Sequence, residues 1–213
     1  MIILPKTINK IMIKFIKIFI FTFVLNLSPL IAQQFGAGIV AGLTASQING
    51  DDSAGYNKLG LTAGLLTTIR LKENQYIGIE MLYSQRGSQD KYLSQTGQGL
   101  FVNLKYVSVP VFFGIKDWYQ ESDDYYKVHF RGGLNYSRLI DAAWNRDKLD
   151  TRATSLLKND FSFLLGATFF LNRKLGIEAR YNRSINLLAR NNTFTYKYNL
   201  RSHFLSFALL YRL

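Results

Sequence analysis

The 213 residues suffice for one domain and one closed sheet, and are too few for two comfortable cores. With no cysteine, the chain has no disulfide framework, thiolate nucleophile or thiolate metal site. The formal charge is +12, yet the Lys and Arg are scattered without a basic run or basic helix, so nucleic acid is not an expected partner; anionic lipid headgroups or surface glycolipid fit better.

Residues 1–32 stand apart from the rest. Lys6, Lys10, Lys14 and Lys17 precede an apolar run from Ile18 to Leu25, followed by Ser28, Pro29 and Ala32. That basic, apolar, small-residue order is the pattern of a secretory signal peptide, with cleavage expected after Ala32 and Met12 offering a second start. An uncleaved membrane helix is the alternative; the run falls short of the ~20 residues that a span needs, and Pro29 interrupts its end. Cleavage would leave 22 basic against 14 acidic residues, a charge of +8.

From residue 33 onward the recurring pattern is period-two alternation, which predicts eight strands at roughly 34–46, 58–70, 76–86, 101–115, 126–140, 160–171, 175–186 and 200–213. One face is apolar in every segment, for example Ile39, Ala41 and Leu43, then Leu61 and Leu65, and later Phe163, Leu165 and Phe169. The other face is small and polar, with Gly38, Gly42, Gly64, Gly78, Gly114 and Gly176 among Thr62, Ser108, Asn135 and Ser162. Its charges are Arg70, Glu80, Arg131, Glu178, Arg180 and Arg212, with His129 beside them. Glycine suits the cramped concave side of a small barrel, and an apolar face continuous over eight strands exceeds what a soluble monomer exposes to water. The fold expected is an all-β, closed, antiparallel up-and-down transmembrane β-barrel of about eight strands in residues 33–213. Pro110 inside the fourth segment removes a ladder donor and predicts a bulge or a locally widened pairing.

The connections alternate in length. Long, polar ones run over 47–57, 87–100, 141–159 and 187–199; short ones cover 71–75 and 172–174, and 116–125 is intermediate. In a bacterial outer-membrane barrel the short turns face the periplasm and the long loops face outward.

Four segments resemble a known family. Gly36–Ala37–Gly38 through Gly42–Leu43–Thr44–Ala45–Ser46, Gly60–Leu61–Thr62–Ala63–Gly64, Glu80 through Tyr83 to Arg86–Gly87, and Tyr106–Val107–Ser108–Val109–Pro110 are similar to the motifs of the PorT-like outer-membrane β-barrel proteins of Bacteroidetes. The resemblance implies a closed barrel in the outer membrane of a Gram-negative bacterium and raises a link to type IX secretion. The last segment ends in Leu213 where such barrels often end in Phe, while Phe207 and Tyr211 keep the alternate aromatic spacing.

Little in the sequence points to chemistry, and neither a cofactor nor an enzymatic role is expected. Glu80 and Glu178 are paired inward carboxylates, but Arg131 and Arg180 share their face, so structural ion pairing is the expectation for this polar cluster. His129 falls near the periplasmic start of its strand; His203, near the outer end of the last one, is the residue on which a lipid-modifying enzyme would have to be built. Asp51–Asp52 and Asp147 with Asp150 lack the spacing of a calcium loop. Trp118, Tyr119, Tyr125 and Tyr126 read as an interfacial aromatic girdle. Tyr92, Trp144, Phe194, Tyr196 and Tyr198 fall in the long outward loops and are candidates for contacting a partner or glycan. The expected role is therefore that of a structural or accessory protein binding another envelope protein. A small channel is the alternative, disfavoured because Phe112, Leu164, Phe170, Leu210 and Arg131 point into a narrow interior.

Overall fold

The structure, a computed structural model, describes residues 34–49, 55–89, 101–144, 157–187, 189–190 and 199–213. The segment 1–32 expected to be a signal peptide lies outside them, as do Asp51, Asp52, Asp147 and Asp150. The chain divides at Phe35–Gly36, and the second unit is the barrel.

Its strands are β1 (Phe35–Asn49), β2 (Lys58–Lys72), β3 (Gln75–Gln89), β4 (Phe101–Gln120), β5 (Tyr125–Trp144), β6 (Asn159–Phe170), β7 (Leu175–Ser184), the two-residue β8 (Ala189–Arg190) and β9 (Asn199–Arg212). Consecutive strands are neighbours through β7, which pairs with β9, and β9 pairs back with β1 from Gly38↔Arg212 to Asn49↔Arg201. Eight long strands thus close an antiparallel wall, and β8 adds only a short ladder to the far end of β9. Closure is what hydrocarbon demands, because a free sheet edge would leave backbone N–H and C=O groups unpaired where no water can reach them.

Burial follows the alternation. Along β3 as far as Arg86 and along β4 as far as Gly114 every second residue is buried, and the intervening ones are exposed or half-buried. The exposed set is apolar: Leu65, Met81, Leu134, Leu165 and Leu209 are each more than half exposed. This inverted arrangement has its solvent in lipid.

The interior is narrow enough that glycine and aromatic side chains alternate across it. Tyr76 lies opposite Gly114, Phe112 opposite Gly78, and Phe170 opposite Gly176. A Cβ built on Gly78 would sit 2.3 Å from the Phe112 ring, and one on Gly114 would sit 2.2 Å from Tyr76. Each glycine opens the space that the facing ring fills. Phe112, Leu164, Phe170 and Leu210 are at most 2% exposed and join Val40, Leu66, Tyr76 and Leu82 in one apolar cluster inside the wall.

At one end the strands are joined by the turns 73–74, 121–124 and 171–174. Asn172 Oδ1 accepts from the backbone N–H groups of Lys174 and Leu175, both at 2.8 Å, which closes the third of these. Arg173 Nε donates to the Asp123 carbonyl, tying it to the second, and Lys116 Nζ donates to the Glu73 carbonyl at 3.2 Å, tying β4 to the first. The barrel is laced together at its short-turn end.

Several expectations about strand ends and facing need correction. The connection expected at 116–125 is the four-residue turn 121–124, because β4 and β5 pair as far as Gln120↔Tyr125. At the other end several strands outrun their apolar alternation: β3 continues to Gln89 and β5 to Trp144. A ladder persists wherever the backbone has a partner, so it does not stop where the side chains become polar. Trp144, expected in a long loop, is therefore the last residue of β5, opposite Val102. Arg70, expected inside, is exposed because it lies on the last turnward residues of β2. At Pro110 the structure has the widened alternative: the register is the same at Ile79↔Val111 and Leu82↔Ser108, with no paired residues between, whereas the bulge lies at Lys105/Tyr106.

Candidate functional site

The inward polar residues form two layers. The lower one draws Glu80 from β3, Arg131 from β5, and Glu178 and Arg180 from β7, the four residues that the alternation placed on one face. Arg180 forks onto Glu80, Nη1 to Oε2 at 2.7 Å and Nη2 to Oε1 at 2.8 Å, and its Nε and Nη2 reach Glu178 Oε1 at 2.7 and 2.5 Å. Arg131 Nη1 binds Glu178 Oε2 and lies 3.4 Å from Glu80 Oε1, while its Nε donates to Tyr76 Oη at 3.1 Å. Thr168 adds a donor to Glu178 Oε2 at 3.2 Å. All four carboxylate oxygens are engaged, and the two acids balance the two guanidiniums. None of these side chains is more than 4% exposed. A buried charge cluster persists only when paired and hydrogen-bonded in this way.

The upper layer, six residues further along β3, is one that the sequence reading missed. Arg86 Nη1 pairs with Asp160 Oδ2 at 3.0 Å, Nη2 donates to Ser108 and Ser137 at 2.8 and 2.9 Å, and Nε donates to Ser84 at 3.2 Å. Its guanidinium also lies over the Phe204 ring at 4.0 Å and the Tyr106 ring at 4.9 Å. Arg86 and Asp160 are 2% and 0% exposed. Both sit at even positions of their strands, on the inward parity, as the end residues of the segments expected at 76–86 and 160–171, so the alternation already faced them inward. A small cavity lies between the layers, with Arg86, Arg180, Asn135 and Asn182 among its lining residues.

The two histidines stand in different surroundings. His129 is buried against Phe170, with its ring nitrogens facing Tyr76 Oη at 3.2 Å and Arg212 Nη2 at 3.0 Å. His203 is half-buried on the outward face of β9, flanked by Gln47 and Arg183 on the neighbouring strands, with Tyr56 edge-on at 5.1 Å. The four aromatics around the β4–β5 turn are together at the short-turn end: Tyr119 and Tyr126 lie 5.1 Å apart, and Trp118 packs toward Phe169 at 6.2 Å with Lys127 above it at 5.3 Å. Of the loop aromatics, Tyr92, Phe194, Tyr196 and Tyr198 lie outside the described residues, and Trp144 is described only through its backbone. Among the described residues no group of three or more His, Cys, Asp or Glu could hold a metal ion.

Three solved structures are similar to this chain at low identity. Ail, the attachment invasion locus protein of Yersinia pestis, is 13% identical with a TM-score of 0.48 over 84% of this chain and 99% of that one. Neisserial surface protein A is 12% identical with a TM-score of 0.43 over 84% and 97%, and OprG from Pseudomonas aeruginosa is 11% identical with a TM-score of 0.43 over 84% and 96%. No curated protein matches the sequence. The family model described as the outer membrane protein beta-barrel domain matches residues 31–190, three quarters of the chain. With its closed eight-stranded wall, apolar outside and charge-paired inside, the chain belongs to that outer-membrane β-barrel family.

Proposed function

We propose that this protein is a non-enzymatic scaffold of the outer membrane that binds an envelope partner through the long connections at the outward end of its barrel. The observation that carries this reading is the filled interior. Phe112, Leu164, Phe170 and Leu210 pack across the lumen beside a self-neutralised set of charges whose carboxylate oxygens are all occupied by arginine or threonine donors. A lumen spent on its own packing offers a substrate neither passage nor a free acid or base, so function falls to the loops. Tyr92, Trp144, Phe194 and Tyr196 are the residues proposed to meet the partner. The resemblance of four segments to PorT-like barrels makes a type IX secretion component the first partner to seek, and removal of residues 1–32 by signal cleavage belongs to the same proposal.

The test is photo-crosslinking in intact cells from each of these four positions, with Ser122 in the short turn 121–124 as the control. A discrete adduct from these four positions and none from Ser122 is the expected result. Monomer alone from all four positions would overturn the assignment.

A further inference from the structure

The outward face of the barrel is apolar for most of its height, but at the long-loop end β7 and β9 turn basic side chains outward. Arg183 and Arg201 are exposed and His203 is half-buried, all three on the parity that elsewhere meets lipid. Arg183 and His203 are directly paired across the ladder, which sets their Cβ atoms ~5 Å apart. Arg201 is two residues along β9 from His203, a further ~7 Å on the same face. Directly beneath, Tyr181 pairs with Leu205, and the Phe163 ring lies 6.1 Å from that of Tyr181.

Among the described residues, the acids do not balance this patch. Among the described residues only Asp141 and Asp160 belong to the long-loop end; Lys105 holds the first at 2.8 Å, and Arg86 holds the second inside the lumen. Two arginines and a histidine on one face of adjoining strands, above an aromatic and aliphatic shelf, form a surface with two chemistries in fixed order. The head it fits is an anionic phosphate at the membrane interface, and the body it fits is an acyl chain running down the wall.

We infer that Arg183, Arg201 and His203 bind the phosphate of a phosphorylated glycolipid in the outer leaflet, with its acyl chains against Tyr181, Leu205 and Phe163. The choice of glycolipid over glycerophospholipid rests on the orientation used above, long connections outward, because the outer leaflet is where phosphorylated glycolipid resides. Guanidinium forks onto phosphate oxygens supply the affinity, and the apolar shelf limits binding to ligands already in the bilayer.

The test is native mass spectrometry of the detergent-solubilised full chain titrated with a monophosphorylated disaccharide glycolipid, its dephosphorylated form, and phosphatidylglycerol. The wild-type barrel should retain the first and release the other two. The variant Arg183→Gln/Arg201→Gln should weaken retention about twenty-five-fold, since each interfacial cation contributes roughly fivefold. Arg183→Lys/Arg201→Lys should recover part of it, and Lys72→Gln/Arg173→Gln at the opposite end should change nothing. Equal retention by the glutamine variant, or equal retention of the dephosphorylated lipid or of phosphatidylglycerol, overturns the inference. Heat-modifiable electrophoretic mobility shows that each variant is folded. A Ser122→Cys label tests the orientation separately: if it reacts from outside intact cells, the orientation is wrong whatever the lipid result.

Discussion

Replacing Glu80 by glutamine tests the lower charge layer with almost no change of shape. Glu80 accepts a bidentate fork from Arg180 at 2.7 and 2.8 Å and a longer contact from Arg131 at 3.4 Å, and its side chain is 0% exposed. Without that charge, Glu178 faces two guanidiniums alone and the cluster carries an uncompensated cation. Breaking a buried pair from one side typically costs 3–5 kcal/mol, and a unit pair 4 Å apart at an effective dielectric near 20 gives a similar figure of ~4 kcal/mol. We expect Glu80→Gln to lower folding stability by about 3–5 kcal/mol. The double variant Glu80→Gln/Arg180→Gln restores neutrality, so its cost should fall below the sum of the two singles by about 1.5–3 kcal/mol. Urea-dependent folding into lipid vesicles, followed by the fluorescence of Trp118 and Trp144, measures both quantities. A single-variant cost under ~1 kcal/mol, or strict additivity, would refute the idea that mutual pairing holds these charges in the lumen.

Three further outcomes follow from the same packing. Leu165→Arg puts a cation on the lipid face at a position that is 58% exposed, and should cost ~2–4 kcal/mol in the same vesicle titration; unchanged stability would reverse the facing of β6. Gly78→Ala drives a methyl to 2.3 Å from a Phe112 ring that is itself covered by the Arg131 guanidinium at 5.0 Å, so a loss of ~1–3 kcal/mol is expected, and a neutral result would mean that the ring has room to retreat. In planar bilayers the purified barrel should show no stable conductance steps; reproducible single-channel openings would favour the channel reading over the scaffold.

Strand identity, facing and order were legible in the residues because each is local. An inverted barrel writes a period of two into every strand, and the alternation of Ile39, Ala41 and Leu43 with Gly38, Val40 and Gly42 declares its face without knowledge of the partner strand. Glu80, Arg131, Glu178 and Arg180 could be assigned to one side on that basis alone. Strand ends were not legible, because a backbone ladder needs only a partner, so Trp144 became strand although the residues before it are polar and small. The Arg86–Asp160 pair was missed for another reason: both residues end segments that were expected as strands, but which charges meet depends on the register between those strands.

The chain by itself determined that a closed apolar-outside sheet would form, since hydrophobic patterning and the need to pair every backbone group in lipid are properties of the sequence and its solvent. Only the tertiary structure decided which charges meet. Arg180 and Glu80 are a hundred residues apart, and their fork depends on the registers of β3 through β7 accumulated around the wall. Register is a cooperative outcome of bulges, the widened step at Pro110 and glycine–ring pairs, and no single segment contains it.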